Sequence, residues 1–213
     1  MKKIHHILIM SCIGLMLSIA CHGQRIFSEG ILKFNVYLNQ STTSSGIYLV
    51  SVKSGFIKRE IAMNNGFNNV TIYNFKNGKS YSLNIDENDK YALEITAEEQ
   101  KNINIRFENA QITPNGKTKK IIGYQCQGMN VQYSNGDQVE IYVSRDVVPQ
   151  SDQFNTMFPG LVGIALEYTM KTPDGNEMRF TADQMDVKVI DTKIFNIPPD
   201  YKIVTKAELE KIK

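Results

Sequence analysis

Histidine is almost missing, and its three copies, His5, His6 and His22, all stand at the start of the chain. Everything beyond residue 22 therefore lacks the side chain on which Ser-His-Asp and Cys-His catalysis depend. It also lacks the usual zinc ligand. Cysteine is nearly as scarce. Cys12 and Cys21 lie in the first segment, which leaves Cys126 alone in the body. One cysteine cannot close an internal disulfide, so an exported domain of this composition must rely on its core. Apolar runs of membrane-spanning length are absent after residue 20. Neither sign of charge dominates: 24 Lys and Arg stand against 22 Asp and Glu, and setting aside Lys2 and Lys3 makes the counts equal. A balanced chain without basic clusters argues against nucleic-acid binding and against polybasic docking to anionic lipid.

What is present begins with an address. Lys2 and Lys3 precede an apolar stretch over residues 7–20, interrupted only by Ser11, Gly14 and Ser18. The stretch is shorter than the roughly 20 residues of a spanning helix and ends in small residues, as a signal peptide does. Residues 1–23 are expected to be an export signal, and 24–213 one domain in the periplasm or at the outer membrane. Leu17-Ser18-Ile19-Ala20-Cys21 reads as a loose lipobox, which would make Cys21 a lipidation site. Cys21-His22-Gly23 before Gln24 reads equally as an ordinary cleavage site. An uncleaved N-terminal anchor is the third alternative. Membrane association is expected only through a lipidated Cys21, because stable anchoring takes more than one acyl chain.

The body alternates short apolar runs with turn signals, the pattern of an all-β domain. Leu32, Phe34, Val36 and Leu38 alternate along a first strand. Residues 47–53 and 56–63 form a hairpin around Ser54-Gly55. Residues 70–76 and 80–85 pair across Asn77-Gly78, a strong hairpin signal because both residues tolerate positive φ. Tyr91, Leu93 and Ile95 alternate again. Thr96-Ala97-Glu98-Glu99 is a capping box opening a short helix, after which Ile103, Ile105 and Phe107 resume strand spacing. Pro114-Asn115-Gly116 is read as a turn. Ile122, Tyr124 and Cys126 share one face, whereas Met129, Val131 and Tyr133 follow the opposite phase, which places a bulge at Gly128. Asn135-Gly136 leads to Val139, Ile141 and Val143. Residues 147–159 read as a loop with a helical turn. Ile164, Leu166, Tyr168 and Met170 then alternate cleanly. Pro173-Asp174-Gly175 turns into Met178, Phe180 and Ala182, and a phase change precedes Met185, Val187 and Val189. Thr205 and Glu208 cap a last short helix. Long strands with phase changes imply a strongly curved antiparallel sheet, mainly β with a few short helices, whose apolar concave face something must cover.

The second half carries a resemblance. Lys120-Ile121-Ile122-Gly123-Tyr124-Gln125-Cys126 is followed by Gly160-Leu161-Val162-Gly163-Ile164-Ala165-Leu166-Glu167-Tyr168 and by Phe195-Asn196-Ile197-Pro198-Pro199-Asp200-Tyr201-Lys202. This order resembles an uncharacterised family of secreted domains of unknown function in Gram-negative bacteria, over residues 28–212. That family is similar to the lipoprotein-carrier (LolA/LolB-like) superfamily, which implies a half-barrel of antiparallel strands around helices with an apolar interior. Phe158-Pro159-Gly160-Leu161-Val162 is similar to part of the GLPGLI signature, whose first Gly-Leu is absent here. The resemblance brings no catalytic residues with it.

Candidate sites are few. Cys126 lies among apolar neighbours with nothing to lower its pKa, so a buried structural thiol is expected rather than a reactive one. Asp86-Glu87-Asn88-Asp89 offers oxygen ligands but lacks the spacing and glycine of a calcium loop, and reads as a solvated turn. Met129, Met157, Met170, Met178 and Met185 suit a core or an adaptable lining. Asn39-Gln40-Ser41 and Asn69-Val70-Thr71 match glycosylation sequons by chance. No catalytic group, metal site or cofactor is expected.

Three functions remain. A binding module would hold a lipid or lipoprotein acyl chain in the concave face, lined by Phe34, Val36, Ile141, Leu166, Tyr168, Met170 and Phe180. A structural module would have a filled core and meet an envelope protein partner. An enzyme would have to work with carboxylates, Lys, Tyr or Ser alone. An open apolar cavity favours the first and bulky plugging side chains favour the second.

Overall fold

Tight turns set the strand boundaries. Ser54-Gly55 closes β3 (Gly46–Lys53) onto β4 (Phe56–Met63), with Gly55 at φ +82°. Asn77-Gly78 lies between β5 (Asn68–Asn74) and β6 (Lys79–Ile85), and Asn135-Gly136 between β9 (Tyr124–Gln132) and β10 (Gln138–Ser144). The computed structural model describes residues 23–85, 90–172 and 175–212. The export signal up to residue 22 lies outside the described residues, with Cys21. So do the acidic turn at 86–89 and the residues Pro173 and Asp174.

Twelve of the fourteen described strands form one open, curved sheet. Six run as an antiparallel meander: β2 (Gly30–Leu38), β3, β4, β5, β6 and β7 (Lys90–Ile95). A second run comprises β8 (Gln111–Ile121), β9, β10, β12 (Ile164–Lys171) and β13 (Glu177–Asp186). Pairing of β13 with β2 joins the two, with Phe180 opposite Val36. A short strand, β14 (Lys202–Val204), runs parallel to β7 at one edge, and β8 forms the other. A separate parallel pair joins β1 (Arg25–Phe27) to β11 (Val147–Pro149). The expected curved antiparallel, mainly β fold is what the chain adopts.

The two expected phase changes are β-bulges. One falls between Ala182 and Gln184, where β13 slips against β2. The other places residues 115–117 of β8 opposite Gly128. Asn115 Oδ1 stands so near Gly128 that an added Cβ would lie 2.3 Å from it.

Three local expectations are corrected. Ile103 and Ile105 are not in a strand: α1 (Ala97–Asn104) continues into a 3-10 turn over Ile105–Phe107. The capping box forms as expected, with Thr96 Oγ1 accepting from Glu99 N and Glu99 accepting from Thr96 N. It nucleates a helix whose Ile103 and Ile105 stay exposed while Phe107 is buried. Pro114-Asn115-Gly116 is not a turn: Pro114 pairs with Met129 within β8, and Asn115 and Gly116 enter the bulge. The turn comes later, at Ile122-Gly123, both with positive φ (41° and 89°). A β-branched residue rarely takes that conformation, and its apolar side chain mimics strand alternation. Finally, Val187 and Val189 follow the end of β13 and are exposed.

Both faces of the sheet are covered, over different halves. On one face, Ile72, Leu83 and Ala92 of β5–β7 pack with Ile190 and Phe195 of the segment after β13, where Phe56 stacks on Phe195 at 5.4 Å. Glu29 ties that segment down by accepting from Ile190 N (2.6 Å) and from Lys53 (2.8 Å). The opposite face carries the larger core and the candidate site.

Candidate functional site

Strand alternation fixes what points to the inner face. Ile141, Tyr168, Phe180 and Val36 stand side by side across β10, β12, β13 and β2. Phe34 joins this row through ring contacts with Tyr168 (5.8 Å) and with Tyr48 of β3 (5.7 Å). Tyr168 stacks on Phe180 at 4.8 Å. Leu166 occupies the irregularity where β12 passes Tyr142 and Val143, and is fully buried. Met170 is half-buried and lines a polar cleft of about 320 Å³ with Arg106, Tyr133 and Glu140. The structure thus gathers all seven residues singled out in the sequence around one core.

That core is covered by the chain itself. Residues 150–163 cross the inner face, and the Phe158 ring meets Tyr168 edge-on at 5.5 Å. Asn155, buried, donates to Leu161 O (3.1 Å) and Gly163 O (3.0 Å), and Tyr133 Oη donates to Met157 O (2.7 Å). These bonds satisfy polar groups of a loop that could not otherwise lie on an apolar surface. The space left above Phe34, Tyr48 and Tyr168 is about 20 Å³, room for about one water.

Larger space lies beside this plug. A cleft of about 270 Å³ opens at the β3–β4 turn, between Val52, Phe56, Ile57 and Phe75 on one side and Phe27, Pro149 and Phe154 on the other. Phe154 belongs to both spaces: it lines the small cavity and the cleft, and packs edge-on to Phe27 at 5.9 Å.

Arg59 of β4 stands in the wall of the small cavity. Val50 is its cross-strand partner, so its side chain shares the inner face with Val50 and Ile57. Nη1 donates to Tyr48 Oη (3.2 Å), Nη2 donates to Phe154 O (2.9 Å), and the guanidinium lies 5.6 Å from the Tyr73 ring. Nε is buried and has no acceptor. Burial works against the charge, but the oxygens of Tyr48, Tyr73 and Tyr168 outweigh it and hold the pKa above the ordinary arginine value. Burial pushes the Tyr168 hydroxyl well above its ordinary range. None of the described carboxylates pairs with Arg59. Sequence reasoning missed this residue, although an arginine between Ile57 and Ile61 in the inward phase is a readable signal.

The single thiol of the body sits elsewhere. Cys126 in β9 is fully buried, and burial pushes its pKa up to about 11. Only about a thousandth of it is then ionised at pH 8. In the native protein Cys126 is expected to resist a disulfide-exchange reagent for hours and to react at once in denaturant. Rapid native labelling would show that β9 opens locally. Nearby, Glu167 is buried and accepts from Lys119 at 2.7 Å through both oxygens and from Thr181 at 2.9 Å. Among the described residues no three His, Cys, Asp or Glu side chains gather as a metal ion would need. Among them, too, no helix is long and apolar enough to cross a membrane.

Fold and site together define an open, curved β-sheet protein with a self-covered apolar face and a small adjoining cleft. The model of the family described as "Domain of unknown function (DUF4412)" matches residues 28–158, and the chain belongs to that family. No curated protein matches it. Among solved structures it is similar to an uncharacterized conserved protein from Thermus thermophilus, with a TM-score of 0.50, 7% identity and coverage of 84% of this chain and 91% of that one. It is also similar to PNGF-II, with a TM-score of 0.49, 11% identity and coverage of 86% of this chain. The chain spans about a third of the length of PNGF-II, 32%. A LolA superfamily protein, NE2245 from Nitrosomonas europaea, matches with a TM-score of 0.33, 6% identity and coverage of 80% of this chain and 91% of that one. The Thermus match shows a shared fold.

Proposed function

We propose that the chain is a non-catalytic exported protein of the cell envelope that binds a small apolar ligand in the cleft between the β3–β4 turn and residues 149–154. The observation that carries this reading is the cleft itself, about 270 Å³, with Phe27, Val52, Ile57, Phe75 and Phe154 as its apolar wall and Lys53, Gln150, Ser28, Ser54 and Ser151 as its polar part. Ligand sites run from roughly 300 Å³ upward, so this one suits a single short chain rather than a whole lipid. Each buried methylene contributes about 0.8 kcal/mol, and a few of them suffice for a useful affinity. Catalysis finds little support: histidine stops at residue 22, and the buried Glu167 is already held by Lys119 and Thr181.

A second reading is an interaction module with a filled core. It is favoured by the plug over Phe34, Tyr168 and Phe180, and by the eleven-residue edge strand β8, which pairs on one side only. Native mass spectrometry of the protein recovered from its own envelope separates the two. The mass of a single-chain amphiphile that leaves on denaturation is the expected result. A bare protein mass, with a cross-linked envelope partner, would turn the assignment to the second reading.

A further inference from the structure

We propose that Arg59 is an anion-binding residue, so that the ligand of the adjoining cleft is an amphiphile with a negatively charged head, a carboxylate such as that of a fatty acid. The inference rests on the cleft reading above and adds the chemistry of the head.

The first ground is incomplete pairing. A guanidinium has five N–H donors. The structure gives Arg59 two hydrogen bonds, to Tyr48 Oη and Phe154 O, both neutral acceptors, and leaves the buried Nε with none. A buried charge is costly unless an opposite charge or several hydrogen bonds compensate it. The cavity wall supplies no such charge: around Arg59 it holds Phe34, Tyr48, Val50, Met157 and Tyr168 but no carboxylate. Nη1 and Nη2 each carry a second proton beyond those two bonds, and an anionic oxygen in the one-water space beside them would gain a charge-assisted bond from it, and one from the Tyr48 hydroxyl.

The second ground is position. Arg59 and Ile57 lie two residues apart on the same face of β4, and Ile57 is part of the apolar wall of the cleft. Phe154 is the partition: it borders both the cleft and the small cavity, and its carbonyl accepts from Arg59. A head group at Arg59 therefore stands next to the space that would take its chain. A lysine would serve less well, because a guanidinium presents a planar fork matched to a carboxylate.

The test is titration of the protein, purified from its envelope and stripped of lipid, with decanoate, decanol, decyltrimethylammonium and inorganic phosphate. Decanoate is expected to bind at least tenfold more tightly than decanol, and the cationic amphiphile more weakly than either. Arg59→Met is expected to erase the preference, reducing decanoate to the affinity of decanol. Arg59→Lys keeps a positive charge without the fork and is expected to retain part of the preference; its unchanged decanol affinity reports an intact cleft should Arg59→Met fail to fold. Equal wild-type affinity for decanoate and decanol overturns the role of Arg59 while leaving the cleft reading standing. No binding of any amphiphile overturns both. Phosphate displacing decanoate at matching concentration overturns the amphiphile assignment, because the site would then read the anion alone.

Discussion

Phe158→Ala is expected to destabilise the protein by about 3–5 kcal/mol, the range for deleting a buried phenyl ring. Phe158 is 3% exposed and stands edge-on to Tyr168, which in turn stacks on Phe180. Its removal would leave the inner face without its central plug, and the neighbouring bonds of Asn155 and Tyr133 hold the loop where it is, so collapse into the gap is limited. The measurement is urea unfolding followed by far-UV circular dichroism. A cost below about 1 kcal/mol would mean that residues 150–163 lie loosely on the sheet and that the apolar face is accessible in solution. The same variant is expected to bind an environment-sensitive apolar dye that the parent protein excludes.

Gly163→Ala is the second large effect. Gly163 begins the approach to β12 with φ +115°, a conformation that costs an L-residue about 1–3 kcal/mol. A Cβ there would also lie 2.3 Å from Ser144 O and 2.9 Å from Val143 Cγ1. The carbonyl belongs to β10 and cannot rotate away, so the two strands must separate, adding about 1–3 kcal/mol. The combined loss is expected to be about 2–6 kcal/mol. Gly136→Ala supplies the comparison: its φ is +93° but no atom lies within 4 Å of the added Cβ. That variant is expected to lose only the conformational part. Equal melting temperatures for the two variants would remove the steric argument and leave backbone strain alone.

Much of this fold is legible in the sequence, for a physical reason that also marks where legibility ends. Strand alternation at Leu32, Phe34 and Val36, or at Met178, Phe180 and Ala182, survives because one face is buried more deeply than the other. The glycine turns at Gly55, Gly78 and Gly136 are readable because positive φ selects the residue. Ile122 defeats that logic by taking positive φ with a branched apolar side chain, which hides the β8–β9 turn. Residues 103–107 show strand-like spacing that a capping box overrides. The short strands β1, β11 and β14 are three residues each, too brief for any periodicity.

The site is less readable than the fold. Alternation selects Phe34, Val36, Ile141, Tyr168 and Phe180 as one inward row, yet it cannot say whether that row meets a ligand or Phe158. That depends on a loop whose own sequence has no period. Arg59, Phe154 and the cleft wall at Val52 and Ile57 come together only through the packing of residues 147–155 across β3 and β4.

The parallel pair of β1 and β11 bears on geometry at the membrane. Arg25 N donates to Asp146 O at 2.8 Å, so the chain is held from that residue on by its pairing with β11. Only four peptide steps separate Cys21 from Arg25, a tether of at most about 14 Å. Were Cys21 acylated, so short a leash would forbid the domain from roaming: the side of the domain bearing the β1–β11 pair would rest at the bilayer surface. Phe27 and Pro149, which belong to that pair, also border the cleft. The cleft would then open within a headgroup's reach of the lipid from which an anionic amphiphile would come, and transfer between the two would need no diffusion through water.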